Sequence, residues 1–161
     1  MSRLDSAIRR LSAQRDCLAL AAGRAPEGVF LEIGLGNGRT FDHLREIAAG
    51  DGTGRDVWVI DREMNAHPDS APDRALFLQG EADAMLDALF ERIGRSVALA
   101  HYDLGVGVPE VDTPLREGLA PAIKRLIVPG GYLLSNSAFE GMAQEPLPDG
   151  VAAERYFIHR V

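Results

Sequence analysis

Three glycines at alternate positions, Gly34, Gly36 and Gly38, directly after an apolar run at 29–33, constrain this chain more than any other feature. Val29, Phe30, Leu31 and Ile33 read as a buried strand and helical spacing begins at Phe41, so the glycines occupy a strand–turn–helix junction. One glycine would suffice for an ordinary junction. Three let main chain bend sharply and lie against a ligand that side chains would push away, because glycine reaches positive φ and has no Cβ. Glu32, an acid inside an otherwise apolar strand, adds to the case for a ligand site.

The remaining chain alternates between strand and helix patterns. Residues 2–22 form an amphipathic helix with Leu4, Ile8, Leu11 and Leu18 on one side, placed either against a sheet or as a lid over the site. Gly23 and Pro26 end it. A second strand at 57–61 finishes in Asp61, and a third is expected at 75–79. Gly80, Glu81 and Ala82 then turn into a helix marked by Leu86, Leu89 and Ile93. A fourth strand covers 97–103 and a loop follows it. The next helix runs through Leu115, Leu119, Ile123 and Leu126, with Gly118 and Pro121 implying a late start or a kink. The PGG sequence at 129–131 reads as a helix stop, YLLS opens a fifth strand, and 155–159 forms a sixth. This alternation predicts an α/β fold, a doubly wound, mostly parallel sheet with helices on both faces. Ligands bind such sheets beyond the carboxyl ends of the strands, where strand order reverses. The strand ends at Glu32–Gly38, Asp61, Gly80–Ala82, Tyr102–Asp103 and 135–137 are therefore the places to look for function.

The bulk properties narrow the function classes. A chain of 161 residues fits a single domain over 1–161, with 1–24 as an N-terminal helix packing on or capping the site. Its 46% hydrophobic and 25% charged composition is that of a soluble globular protein, and no apolar run nears the ~20 residues that span a bilayer. The N-terminal segment carries charge throughout, so a cytoplasmic protein with no membrane partner is expected. Cys17 is the single cysteine, which excludes an internal disulfide, and no Cys/His cluster has zinc spacing. A net charge of −7 argues against a broad nucleic-acid surface.

Asp61 lies some twenty residues past the glycine turn, where a carboxylate can accept hydrogen bonds from both ribose hydroxyls. A nucleoside cofactor is implied. The Gly-x-Gly-x-x-Gly pattern of nicotinamide dinucleotide sites would put its last glycine at Arg39, and no ATP-type phosphate loop is present.

Glu32, Gly34, Gly36 and Gly38 together resemble the first motif of the class I, Rossmann-like S-adenosylmethionine-dependent methyltransferases. Asp61 is similarly placed to that family's ribose-binding acid. Gly80, Glu81, Ala82 and Asp83 resemble the turn that contacts adenine, VALAHYDLG resembles the fourth strand, and LIVPGGYLLS resembles the helix end and fifth strand. The resemblance runs from Val29 to Ser137 and implies S-adenosyl-L-methionine as cofactor. The binding set it implies is Glu32, Gly34, Gly36, Asn37, Gly38, Asp61, Arg62, Gly80, Glu81, Ala82 and Tyr102. With only one clear strand after Ser137, the C-terminal edge of the family sheet is expected to be shortened. No inserted substrate domain is visible, so the acceptor is expected to be a small molecule met by the N-terminal helix, by 104–114, by 138–154 or by a partner subunit; a homodimer could close the pocket.

The sulfonium of such a cofactor brings its own electrophilic methyl, so the chain mainly aligns acceptor and methyl and excludes water. Asp103 and His101 are the catalytic candidates, since strand alternation sends both to the face opposite Tyr102. His101 also has the plainer reading of a hydrogen-bonded core histidine. HYDLG further resembles metal-dependent O-methyltransferases, but their second and third ligand positions hold Asn136 and Ser137 here, so no metal is expected. The expected function is methyl transfer to an oxygen or nitrogen of a small molecule. The alternatives are cofactor binding without transfer, and NAD-dependent oxidoreduction.

Overall fold

The computed structural model describes residues 1–161. Helix α1 (Arg3–Arg24) starts at a capping box: the Ser2 hydroxyl accepts from the Asp5 amide, and the Asp5 carboxylate accepts from the Ser2 amide. There follow β1 (Val29–Ile33), α2 (Arg39–Gly50), β2 (Val57–Asp61), β3 (Phe77–Gln79), α3 (Ala82–Ile93) and β4 (Val97–Tyr102). The chain finishes with α4 (Pro109–Leu126), β5 (Ile127–Ser135), β6 (Ala143–Gln144) and β7 (Phe157–Arg160).

All seven strands belong to one sheet of order β3-β2-β1-β4-β5-β7-β6. The first five pair in parallel, and β7 is antiparallel to both β5 and β6. The doubly wound, mostly parallel sheet expected from the sequence is therefore present. Strand order reverses at β1, which lies between β2 and β4, so a crevice opens above the carboxyl end of β1.

Strand alternation divides the core between two faces. Phe30 and Leu99 pack with Cys17, Leu18 and Leu44 under α1 and α2. Leu31 and Ile33 face the other way and meet Leu86, Leu89, Ile123 and Leu126 of α3 and α4. No helix is long and apolar enough to cross a membrane.

Several boundaries differ from the sequence reading, each for a local reason. Helix α4 starts early, at Pro109, because proline fits the first helical position, where its missing N–H has no intrahelical partner to lose. Pro114 and Pro121 stay inside the helix. The PGG segment belongs to β5 as a bulge: pairing to β4 jumps from Val97↔Ile127 to Leu99↔Tyr132, with Gly130 at φ +80°. Residues 74–76 make a 3-10 turn, which leaves β3 three residues long. The C-terminal edge carries a strand the sequence did not reveal, β6, only two residues long, and no helix separates it from β5.

Candidate active site

The main chain leaving β1 forms the floor of the crevice. Gly34 has φ +95°, and a Cβ there would stand 2.6 Å from the carbonyl oxygen of Asp103, so only glycine lets the tips of β1 and β4 approach. Gly36 has φ +51° and open space where a Cβ would be. Asp61, at the end of β2, accepts from the amides of Leu35 at 2.7 Å, Gly36 at 3.3 Å and Glu63 at 3.1 Å. Its carboxylate thereby fixes the glycine turn and keeps lone pairs for a ligand. Gly80, Glu81, Ala82 and Asp83 line the far end, and Val111, Leu115 and Leu119 of α4 form an apolar wall. The crevice offers about 810 Å³ and is open to solvent on one side.

A second, polar pocket of about 280 Å³ lies between the tips of β4 and β5 and the start of α4. Asp103, Leu104, Gly105 and Asp112 line both cavities, so Asp103 stands where the two meet. The Asp112 carboxylate accepts from the amides of Val106, Gly107 and Val108 at 2.8, 2.8 and 3.2 Å and holds this loop against α4. Asn136 and Ser137 line the smaller pocket as well.

Beneath Asp103 runs a polar string whose middle, Gln14, Glu32, His101 and Tyr156, is buried. The Thr40 hydroxyl donates to Glu32 Oε1 at 2.7 Å, and Glu32 Oε1 lies 2.8 Å from His101 Nδ1. His101 Nε2 is hydrogen-bonded to the Tyr156 hydroxyl and lies 3.5 Å from the Gln14 amide nitrogen, which donates to Asp103 Oδ2 over the same distance. Glu32 and His101 are both 0% exposed. Burial raises the Glu32 carboxyl above its ordinary range against the opposing pull of His101 and Thr40. Burial alone would depress His101, but Glu32, with a contribution from Asp103, outweighs it and raises the imidazole. One proton thus sits on the Glu32–His101 pair, and gaining or losing another would leave an uncompensated buried charge. Burial also drives the Tyr156 phenol well above its ordinary value, so it stays protonated.

Of the residues singled out in the sequence, Gly34, Gly36, Asp61, Arg62, Gly80, Glu81, Ala82 and Asp103 come together around the crevice. Five expected residues do not line it. Glu32 and His101 are turned into the α1/α2 face and hold each other, so His101 positions its neighbours and cannot touch an acceptor. Tyr102 points to the opposite face, edge-on to Phe139. The Asn37 side-chain oxygen accepts from the Arg39 amide at the start of α2. Gly38 caps that helix at φ +86°, and a Cβ there would come within 2.7 Å of the Ser70 carbonyl oxygen. Gln14, Thr40 and Tyr156, missed from the sequence, complete the polar string. Asp112 could have been read from proline at a first helical position with acids in the next turn.

Glu32, His101 and Asp103 place donor atoms within 4.8 Å of one another, a spacing that also suits a metal ion. Two of the three donors are already engaged with each other at 2.8 Å out of reach of solvent, so the set reads as an internal hydrogen-bonded pair with Asp103 above it.

The geometry suits an adenosyl sulfonium. Open space at Gly36 lets a ligand lie on main chain, Asp61 offers a carboxylate to ribose hydroxyls, and the acids along the crevice complement positive charge. The family model described as S-adenosyl-L-methionine methyltransferase matches residues 1–161. No protein of curated function matches the chain. Among solved structures, an S-adenosyl-L-methionine methyl transferase from Silicibacter pomeroyi DSS-3 is 37% identical, with a TM-score of 0.89 over 99% of this chain and 98% of that one. CmcI in a Mg-SAM structure is 15% identical, with a TM-score of 0.59 over 94% and 70% of the two chains. MnmC2 from Aquifex aeolicus is also 15% identical, at 0.59 over 91% and 56%. The last two share the fold.

Proposed function

From the premise that the chain belongs to the S-adenosyl-L-methionine methyltransferase family, we propose that it moves the cofactor's methyl group to an oxygen or nitrogen of a small molecule held in the polar pocket beside Asp103. The observation that carries this reading is the shared wall: Asp103 borders both the large crevice and the small pocket, so a reacting pair lodged in the two cavities would meet at its carboxylate.

Bound in the crevice, S-adenosyl-L-methionine supplies an electrophilic methyl on a sulfonium. Asp61 would hold the ribose hydroxyls, main chain at Gly34 and Gly36 would lie along the cofactor, and Gly80–Asp83 would receive its base, since all of them line the crevice. The apolar wall of α4 excludes water. Asp103 takes a proton from the acceptor at its carboxylate oxygens, while the Gln14 amide steadies Oδ2 from below. Glu32, His101 and Tyr156 hold Gln14 and the tip of β4 in place. The size of the polar pocket and the absence of any inserted domain between the strands support a small acceptor.

Calorimetry with S-adenosyl-L-methionine, followed by labelled-methyl transfer to a metabolite extract, tests the proposal. Asp61→Ala is expected to weaken cofactor binding about ten- to a hundredfold, the cost of lost hydrogen bonds to a charged group. Asp103→Ala is expected to keep that affinity and lower turnover about 10²-fold or more, as for loss of a general base. Equal loss of affinity in both variants would make Asp103 a cofactor ligand. Cofactor binding with no transfer to any component would reduce the protein to a binder.

A further inference from the structure

We propose that the pocket between the tips of β4 and β5 binds an oxyanion of the methyl acceptor, with the Arg116 guanidinium as its fork and the Tyr102 hydroxyl as a second donor. Three observations lead there. Arg116 is half-buried in the wall of that pocket and forms no ion pair. Its guanidinium stands 5.9 Å from the ring centroid of Phe139, which holds it over an apolar floor. The Tyr102 side chain is 2% exposed and its hydroxyl has no hydrogen-bond partner, although buried hydroxyls almost always find one. Tyr102 meets the same Phe139 edge-on at 5.3 Å, so one buried ring positions both donors.

Neither acid in the pocket wall, Asp103 or Asp112, pairs with Arg116. The Asp112 carboxylate is occupied by three backbone amides, and neither of its oxygens pairs with the guanidinium. A cation in the wall of a polar pocket, with a buried unpartnered donor on another lining residue, calls for a ligand with acceptor oxygens. Burial, together with Asp112, pushes the Tyr102 phenol up to about 12 against the pull of Arg116, so it acts as a donor throughout the neutral range. A guanidinium matches carboxylate and phosphate alike, and the volume of about 280 Å³ keeps the molecule small. Its nucleophilic atom then lies at the Asp103 end and its anionic group at the Arg116 end. That the anion belongs to the acceptor rests on the methyltransferase reading; that the pocket binds an anion does not.

The test is an NMR titration of the nitrogen-labelled full chain, saturated with S-adenosylhomocysteine, with inorganic phosphate and separately with benzoate. The expected result is a saturable shift of the Arg116 Nε–Hε signal at millimolar probe, weakened about tenfold or more by Arg116→Leu and less by Tyr102→Phe. Response to phosphate alone marks a phosphorylated acceptor, and response to benzoate marks a carboxylic acid. Calorimetry on Arg116→Leu should return the unaltered affinity for S-adenosyl-L-methionine, since Arg116 lines only the smaller pocket. No saturable shift with either probe, or shifts elsewhere that persist in Arg116→Leu, would overturn the subsite. Loss of cofactor binding in the wild-type chain with the Arg116 response intact would instead sink the methyltransferase reading and leave the subsite standing.

Discussion

Gly34 and Gly36 are two positions apart, both at positive φ, and answer to different constraints. A methyl at Gly34 would press on the backbone of Asp103, which cannot swing aside, so Gly34→Ala should lower stability by about 1–3 kcal/mol and spread the β1 and β4 tips. Gly36→Ala meets no atom and carries only the left-handed backbone cost of about 1–2 kcal/mol. Its methyl would enter the crevice, so cofactor affinity should fall far more than stability does. Urea unfolding and calorimetry on both variants check this, and matching losses of affinity and stability at Gly36 would remove it from the cofactor floor. The Glu32–His101 pair makes a second prediction, in pH. His101 binds its proton more tightly in the folded chain than at the ordinary imidazole value of 6.5, so its contribution to stability is full below 6.5 and is lost as pH rises through the raised folded value. The urea midpoint of the wild type should therefore fall from neutral to alkaline pH more steeply than that of Glu32→Gln, and parallel slopes would contradict the pairing. Gly34, Gly36, Asp61, Gly80 and Asp103 were legible in the sequence because strand ends and glycines announce themselves locally. Gln14 and Tyr156 were not, because they reach His101 from 87 and 55 positions away and nothing in their own neighbourhoods marks them.

Elements were legible where their apolar period was uninterrupted, as in β2, α3 and β4. They were misread where proline or length hid the pattern: α4 begins on one proline and contains two more, and a two-residue strand such as β6 has no period to detect. Helix α1 was found, but its apolar stripe divides in two. Leu18 is fully buried, whereas Leu4, Ile8 and Leu11 are 68%, 53% and 36% exposed, and the buried positions begin only at Ala13. The first turns of α1 therefore project past the residues that bind Gln14 into the site. In a lone chain the Leu4→Ser/Ile8→Ser double variant should unfold within about 0.5 kcal/mol of the wild type, as exposed substitutions do. Urea unfolding paired with light scattering checks it. A loss of several kcal/mol together with a drop in mass would place these residues under a second subunit, the homodimer considered from the sequence.

At the scale of the whole molecule, the crevice is assembled from segments between Gly34 and Leu119 that meet only when the sheet is complete. The strand order supplies its location and the turns supply its chemistry, so neither exists in the unfolded chain. A ligand of this crevice must then bind the folded state alone, and its binding energy adds to stability by mass action. At S-adenosyl-L-methionine a hundredfold above its dissociation constant the gain is about 2.7 kcal/mol. For a chain of this size that corresponds to a rise in Tm of about 5–10 °C, at roughly 2–4 °C per kcal/mol. The rise should shrink in Asp61→Ala and survive in Arg116→Leu, because only the first residue lines the crevice. NADH provides the discriminating control, since the third glycine falls one place short of the dinucleotide pattern and Gly38 is occupied in capping α2 against Ser70. Thermal unfolding that responds to NADH and stays flat with S-adenosyl-L-methionine would reverse the cofactor assignment while leaving the fold untouched, because the same sheet can serve either nucleotide and only the turns choose between them.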